Sequence, residues 1–164
     1  MAEPGGMAME HDAASLPHGM RELTDAECRT LLHRQRLCVV SVVDGNSPYA
    51  VPVFFGFDGE TVYLGVMEGR KTRALDANAR VCIVVTEVDS DDTWRSVIVE
   101  GAARVLTDPA ERGTAVQTLI AHNRRVAGRP LPHDGTGIGS RRHRHTGGRI
   151  LRVEEGRISG REKR

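Results

Sequence analysis

Aromatic residues are scarce in this sequence, which has three Phe, two Tyr and one Trp among its 164 residues. The core must therefore consist mainly of Val, Leu, Ile and Ala, a composition that suits β-structure. Cysteine is scarce as well. Cys28, Cys38 and Cys82 are an odd number at wide spacing in apolar surroundings, so a disulfide framework is excluded and we expect buried, unreactive thiols.

Long apolar runs are also missing. No segment approaches the roughly 20 apolar residues that a membrane-spanning helix needs. Residues 1–19 contain no Lys or Arg, and they lack the apolar centre of a secretory signal. We therefore expect no membrane partner and a cytoplasmic location.

Charge is unevenly distributed, although the formal net charge is only +1. Residues 121–164 contain 12 Lys or Arg against 4 Asp or Glu, a net charge of +8, which leaves −7 for residues 1–120. Such a basic segment either attracts phosphate, nucleotide or nucleic acid, or pairs with acidic surface of its own chain or a partner. Because it contains no Phe, Tyr or Trp, it lacks the platforms on which nucleic-acid bases stack, and we expect no nucleic-acid partner.

Residues 1–19 have no apolar period and predict a disordered tail, whereas residues 20–164 predict one domain. Apolar runs of strand length follow one another in the domain at hairpin spacing. The predicted strands span residues 37–43, 49–57, 61–66, 81–87, 94–106 and 149–158, the last interrupted by a turn at 154–156. Residues 88–93 are interpreted as an acidic loop and 128–148 as a long loop.

Three helices are predicted between these strands. Thr24 and Glu27 form a capping box ahead of the first helix. Residues 71–77 form the second, with Asn78 in the left-handed cap position. Asp108 caps the third, which runs from 109 to about 126 with a buried stripe of Leu119, Ile120 and Val126. Six strands with few helices predict an α+β barrel rather than alternating βαβ units.

One segment carries a candidate binding site. From Gly65 to Thr72 the chain reads Gly-Val-Met-Glu-Gly-Arg-Lys-Thr, a glycine-bearing turn between a predicted strand and helix. Backbone N–H groups at a helix N-terminus, with Arg70 and Lys71 beside them, can bind a phosphate. Gly69 allows a close approach and Thr72 offers a hydroxyl. Since two cations at a helix N-terminus oppose the macrodipole, they indicate an anion; the alternative is a basic helix start on a solvated surface.

Several short motifs follow one another in a specific order. Residues 48–55 read Pro-Tyr-Ala-Val-Pro-Val-Phe-Phe, and Asp-Gly, Val-Tyr-Leu-Gly, Glu-Gly-Arg-Lys and Leu-Asp-Ala-Asn follow by residue 78. Trp-Arg-Ser-Val-Ile-Val-Glu-Gly comes at 94–101 and Ile-Ser-Gly-Arg at 158–161. In this order and spacing the chain resembles the pyridoxamine 5'-phosphate oxidase-like flavin-binding split barrels, nearest the branch that includes the nitroimidazole reductases.

The resemblance implies a six-stranded antiparallel Greek-key split β-barrel with flanking helices, and a homodimer with two FMN sites at the subunit interface. It also implies a flavin-dependent oxidoreductase that reduces a small organic substrate with NAD(P)H, and it assigns no catalytic residue. The residues that it places at the cofactor are Arg70 and Lys71 on the phosphate, Gly65, Gly69 and Thr72 of the same segment, Pro52, Val53 and Phe54 beside the isoalloxazine, and Trp94, Arg95 and Ser96 from the other subunit. Pro52 cannot donate a ladder hydrogen bond, so we expect it at a bulge or on an unpaired edge.

The chain departs from the family pattern at three places. Gly69 replaces a frequent Ser, and Gly65 stands where the oxidases tend to have Thr and the nitroimidazole reductases a His. The C-terminal motif with which the oxidases hold pyridoxal phosphate is missing. The resemblance therefore predicts neither vitamin B6 oxidation nor nitroimidazole reduction. A deazaflavin or haem in the same fold, and a flavin-binding module without turnover, stay open as alternatives.

We expect no metal site. His143 and His145 alternate with arginines, which repel a cation. The acidic cluster of Asp89, Asp91 and Asp92 lacks the terminal Glu of a calcium-binding loop.

Overall fold

The computed structural model describes residues 16–128 and 148–164. The predicted tail and the predicted loop at 128–148 therefore fall almost entirely outside the described residues, together with His143 and His145. The strands are β1 (Met20–Glu22), β2 (Leu37–Asp44), β3 (Ser47–Phe57), β4 (Val62–Val66), β5 (Arg80–Ser90), β6 (Thr93–Val105) and β7 (Arg149–Lys163). The helices are α1 (Asp25–Arg34), α2 (Arg70–Ala77) and α3 (Pro109–Ala127).

The strands close into a barrel. Neighbouring strands are antiparallel in the order β1-β7-β4-β3-β2-β5-β6, and β6 also pairs with β7, so that β2 to β7 form a closed six-stranded ring. β2, β3 and β4 form a meander, after which α2 carries the chain across to the far side of β2, where β5 pairs. This is a Greek-key arrangement, and the predicted α+β split barrel is confirmed.

The core lies inside the barrel, where β-branched and aromatic side chains alternate with outward-facing residues. Its largest buried side chains include Phe55, Leu32, Leu64 and Ile83. α3 covers one side of the barrel through a second apolar cluster, made of Tyr63, Leu106, Ala115, Leu119 and Ile150. The predicted stripe on α3 is only partly right, because Ile120 is 38% exposed.

The thiols behave largely as the composition indicates. Cys28 and Cys38 are buried, and Cys82 is half-buried. Burial raises the pKa of Cys38 to about 12, and its Sγ donates a hydrogen bond to the Val53 carbonyl (3.3 Å). A thiol that stays protonated in this way is a poor nucleophile.

Local helix signals are confirmed at both predicted caps. The Thr24 N–H donates to Glu27 Oε2 (2.8 Å), and the Glu27 N–H donates to Thr24 Oγ1 (3.3 Å), which completes the capping box. Asp108 Oδ1 accepts from two backbone N–H groups of the first turn of α3. Asn78 is not left-handed, however. Its φ of −147° is extended, and its side chain accepts from the Arg80 N–H.

Two predicted interruptions of strands are wrong. Residues 88–93 are not a loop, because β5 pairs with β6 as far as Ser90↔Thr93, which leaves only Asp91 and Asp92 as the turn. The predicted turn at 154–156 is a β-bulge within β7, where the β6–β7 register shifts between Glu100 and Gly101. A bulge inserts one extra residue and bends a strand without ending it. β1 was not predicted, since three residues are too few to show a period.

Two histidines meet where α3 packs against α1 and β3. His122 Nε2 lies 2.7 Å from the Gln35 carbonyl, and His122 Nδ1 lies 3.0 Å from Arg125 Nη2, which also lies 3.2 Å from His33 Nδ1. A guanidinium can only donate, so both Nδ1 atoms accept and both rings are neutral. Burial, followed for His33 by the charge of Arg125, lowers the pKa of both histidines.

We expect the protein to lose stability as the pH falls from about 7.5 to about 5.5. The folded state keeps these histidines neutral to a lower pH than the unfolded chain, which takes up protons near its pKa of about 6.5. Each proton taken up only on unfolding lowers the free energy of unfolding by at most about 1.4 kcal/mol per pH unit. Urea titrations across this range measure the slope, and His122→Gln should flatten it. A slope unchanged by this substitution would contradict the assignment.

Candidate functional site

The barrel opens between β3 and β4. These strands pair only from Phe55↔Leu64 to Phe57↔Val62. Residues 47–54 of β3 therefore have a strand partner on the β2 side alone, as far as the described chain shows. This separation leaves one edge of β3 open at the end of the barrel where the β2–β3 hairpin turns.

Pro52 lies on this open edge, opposite Val39 of β2. The Phe55 N–H donates to the Arg36 carbonyl across the β2–β3 ladder (3.0 Å). Because N–H groups alternate in direction along a strand, the nitrogen of Pro52 points away from β2. Proline therefore removes no ladder hydrogen bond at this position, and the expectation for Pro52 is confirmed.

The other two candidate residues of β3 point to opposite faces. Val53 is 9% exposed and belongs to the barrel core. Phe54 is half-buried on the outer face, where the Arg36 guanidinium lies 5.2 Å from its ring centroid. Any ligand at the open edge would therefore meet Pro52 and Phe54 through their side chains and Val53 through its backbone.

The candidate segment, residues 65–72, forms the N-terminal end of α2, which we call the helix mouth. Gly65 lies near the end of β4 and pairs with Ile150 of β7, and Gly69 is the N-cap of α2. A Cβ added at Gly69 would have no described atom within 4 Å, so no part of the described chain fills the space next to this residue. Because glycine has no side chain, Gly69 makes no side-chain capping hydrogen bond to α2. The first backbone N–H groups of α2 face this space without an intrahelical acceptor.

The Thr72 hydroxyl is engaged inside the segment. Thr72 is buried, and its Oγ1 accepts from the Gly69 N–H (2.9 Å). The same oxygen lies 3.1 Å from Glu68 Oε2 and 2.9 Å from the Gly69 carbonyl, and its single hydrogen can serve only one of them at a time. Thr72 therefore shapes the mouth of α2 and has no further hydrogen to offer a ligand.

Lys71 is the unusual cation of the segment. Its side chain is half-buried, and it has no hydrogen-bond or ion-pair partner among the residues that the structure describes. Burial alone lowers the pKa of its ammonium. A partly desolvated charge without a counter-ion is unfavourable, so the position favours an added anion.

Arg70 is held in place by the β2–β3 hairpin. Its Nε donates to Asp44 Oδ2 (2.6 Å), and its guanidinium lies 4.3 Å from the ring centroid of Tyr49. One guanidinium edge and one face are therefore occupied, while the remaining N–H groups are free to point elsewhere. The Arg70 side chain is 49% exposed, so it can still contribute charge at the helix mouth.

The structure does not bring the strand Trp94-Arg95-Ser96 to the helix mouth of the same chain. Arg70 at the helix mouth binds Asp44, which lies three residues beyond Ser41 on β2, and Ser41 is aligned through Cys82 with Glu100 of β6. Trp94 lies six residues from Glu100 in the opposite direction along the barrel, so the two positions are nine residues apart along the strands. Nine residues of strand span about 30 Å. Arg95 is also engaged, since it binds Glu162 (3.0 Å) and Glu87 (3.4 Å).

Three residues that contact the site, Asp44, Glu68 and Arg149, are not among the site residues that the sequence predicts. Arg149 pairs with Val66 in register and binds Glu68 across the β4–β7 ladder. No local pattern marks Arg149 and Glu68, 81 positions apart, as partners. The sequence does show Glu68 as an acidic residue close to the Arg70-Lys71 pair.

The described residues contain no group of three or more His, Cys, Asp or Glu that could hold a metal ion. Nor does any helix in the described ranges have the length and apolar character to cross a bilayer.

The structure thus combines a six-stranded split barrel, an open edge on β3 and, beside that edge, the N-terminal end of α2 with Arg70 and Lys71. The family model described as pyridoxamine 5'-phosphate oxidase matches residues 24–162, and the chain belongs to this family.

Solved structures share the fold along most of the chain. An FAD-binding protein from Mesorhizobium loti has a TM-score of 0.67 at 25% identity, covering 88% of this chain and 97% of that one. A candidate 5-nitroimidazole antibiotic resistance protein from Bacteroides thetaiotaomicron VPI-5482 has a TM-score of 0.66 at 20% identity, covering 88% of this chain and 89% of that one.

The sequence also has a relative. An uncharacterised protein from Rhizobium meliloti (strain 1021) is 28% identical over 94 residues, which are 57% of this chain and 61% of the relative's length.

Proposed function

We propose that the protein is a cytoplasmic flavoprotein that binds FMN through the phosphate at the mouth of α2. The observation that carries this proposal is Lys71, a half-buried ammonium with no counter-ion among the described residues. A phosphate beside it would supply the missing negative charge and accept from the free N–H groups of the first turn. Membership of a family named for a phosphate-bearing substrate is consistent with this role.

The residues of the mouth fit a phosphate. Gly69 leaves space for it, and Lys71 supplies a mobile point charge. Arg70, supported by Asp44 and Tyr49, lies at the rim of the same mouth. Because Thr72 is engaged by Glu68 and Gly69, the hydroxyl contact considered from the sequence is not part of the proposal.

The isoalloxazine would lie along the open edge of β3. Pro52 follows Tyr49 by three residues, about 10 Å along the strand, and Arg70 stacks on Tyr49. The helix mouth and the open edge are therefore neighbouring surfaces. The backbone of Val53 and the exposed side of Phe54 border this edge.

We further propose that the site is completed by a second copy of the chain. An apolar row crosses the outside of the barrel in register, from Pro52 through Val39 and Val84 to Ile98. Val39 is 41% exposed and Ile98 37%, and Leu37, two residues before Val39 on the same face of β2, is 50% exposed. Exposed apolar sheet surface of this kind is typical of a protein interface. A homodimer would also let Trp94 and Ser96, remote from their own helix mouth, approach the partner's cofactor.

Bound flavin supplies two-electron hydride chemistry. In this chain Lys71 and Arg70 would hold the phosphate, and the open edge of β3 would orient the ring and restrict water. The proposed reaction reduces a small conjugated or nitro compound with NAD(P)H, and no described side chain is required as a general acid or base.

Reconstitution tests this proposal. We expect the purified full chain, incubated with FMN and freed of excess, to retain flavin absorbance at about one FMN per chain and to elute with the mass of two chains. It should then oxidise NAD(P)H when a nitroaromatic or quinone acceptor is added. A haem or deazaflavin spectrum, or no chromophore, would contradict FMN binding; retained FMN without NAD(P)H oxidation would contradict the oxidoreductase role alone.

A further inference from the structure

Arg149 connects the mouth of α2 to β7. This first residue of β7 donates from Nε to Glu68 Oε1 (2.5 Å) and from Nη1 to Asp76 Oδ1 (2.5 Å). Glu68 precedes α2 and Asp76 lies in its last turn, so one guanidinium binds both ends of the helix. Through Thr72, which lies 3.1 Å from Glu68 Oε2 and accepts from the Gly69 N–H, this ion pair reaches the N-cap itself.

The charge of Glu68 matters for anything negative that binds beside Lys71. Glu68 is three positions before Lys71, and its carboxylate is linked through Thr72 to the backbone at the helix mouth. A carboxylate and a phosphate a few ångströms apart repel each other even in water. Arg149 is the cation that compensates Glu68, because Lys71 and Arg70 have no ion pair with it among the described contacts.

We propose that Arg149 is a positioning residue of the phosphate site, which neutralises Glu68 and holds it against Thr72 so that a phosphate can occupy the helix mouth. The inference rests on the proposed function. Arg149 lies outside the motifs that carry the family resemblance, and it would act through the carboxylate of Glu68.

Arg104 offers a matched control. It also binds two carboxylates at the surface, Glu154 (3.1 Å) and Glu111 (3.2 Å), but it lies on β6 and has no contact with Glu68 or α2 among those described. Arg149→Met and Arg104→Met therefore remove the same kind of double ion pair, one beside the proposed site and one away from it.

The experiment compares FMN with riboflavin, which has the same ring system and no phosphate, by flavin fluorescence on the full chain. We expect Arg149→Met to raise the Kd for FMN about tenfold, the effect of one lost charge compensation, and to leave the Kd for riboflavin unchanged. Arg104→Met should change neither. Adding Glu68→Gln to Arg149→Met removes the uncompensated charge and should bring the Kd for FMN back to within about threefold of wild type.

Three results would overturn the inference: unchanged FMN binding in Arg149→Met, an equal loss of FMN and riboflavin binding, or no recovery when Glu68→Gln is added. In each of these cases tight, Lys71-dependent binding of FMN by the wild type would leave the proposed function standing. Wild-type protein that binds FMN no better than riboflavin would overturn both.

Discussion

Replacing Gly56 with alanine is expected to lower the free energy of unfolding by about 3 kcal/mol. Gly56 lies on β3 directly beneath α3, and a Cβ built there would lie 2.8 Å from the Leu119 Cα and 2.9 Å from the Leu119 nitrogen. Both are backbone atoms of a helix, which cannot rotate away as a side chain can. The helix must shift as a body, which disturbs the cluster of Tyr63, Leu106, Ala115, Leu119 and Ile150 beneath it.

Gly113→Ala provides the contrast. Gly113 is exposed on α3 itself, and an added Cβ there would have no atom of residues 16–128 or 148–164 within 4 Å. Alanine is favoured over glycine in a helix interior, so this variant should gain about 0.5–1 kcal/mol. Urea denaturation of both variants at equal protein concentration measures the difference. Equal stability of Gly56→Ala and wild type would show that α3 packs less closely on β3 than the structure has it.

Replacing Lys71 with methionine is expected to weaken FMN binding about thirtyfold. The substitution keeps the length of the side chain and removes the ammonium, which would cost about 2 kcal/mol, the scale of a charge-assisted hydrogen bond. In the absence of flavin the same variant should be at least as stable as wild type, because a half-buried charge without a described partner is removed. Affinity and stability should therefore change in opposite directions.

Arg73→Met is the control for this pair of measurements. Arg73 lies on the same helix but is exposed, so its loss should leave both flavin affinity and stability nearly unchanged. Titration of FMN and of riboflavin into each variant, with thermal unfolding alongside, checks all three proteins. A Lys71→Met variant that binds FMN as tightly as wild type would remove the observation on which the proposed function depends.

The features that the sequence predicts well are those encoded within a few residues. The capping box of Thr24 and Glu27 and the cap at Asp108 depend on neighbours two or three positions away, and both are present. The apolar runs likewise predicted the positions of the strands, because branched side chains fill the barrel interior wherever a strand crosses it. The order of the motifs further predicted the family and its split barrel.

The failures at 88–93 and 154–156 share one physical cause. Acidic and glycine-containing stretches resemble turns when they are considered alone, but a strand partner on β6 can hold such residues in an extended conformation. At the second stretch the mismatch is absorbed by a bulge. Pairing energy between distant segments thus overrides local preference.

For the site, the chain shows Arg70 and Lys71 as adjacent cations before a helix, and no more than that. Folding distinguishes the two: it ties Arg70 to Asp44, 26 positions away, and leaves Lys71 half-buried without a described partner. It also brings Arg149 to Glu68, separates β3 from β4 beside Pro52, and carries Trp94 to the far end of the barrel. Helix caps and strand patterns depend on interactions between residues that are close in the sequence, so the sequence predicts them. Counter-ions and open strand edges depend on register and packing between distant segments, which meet only when the barrel closes.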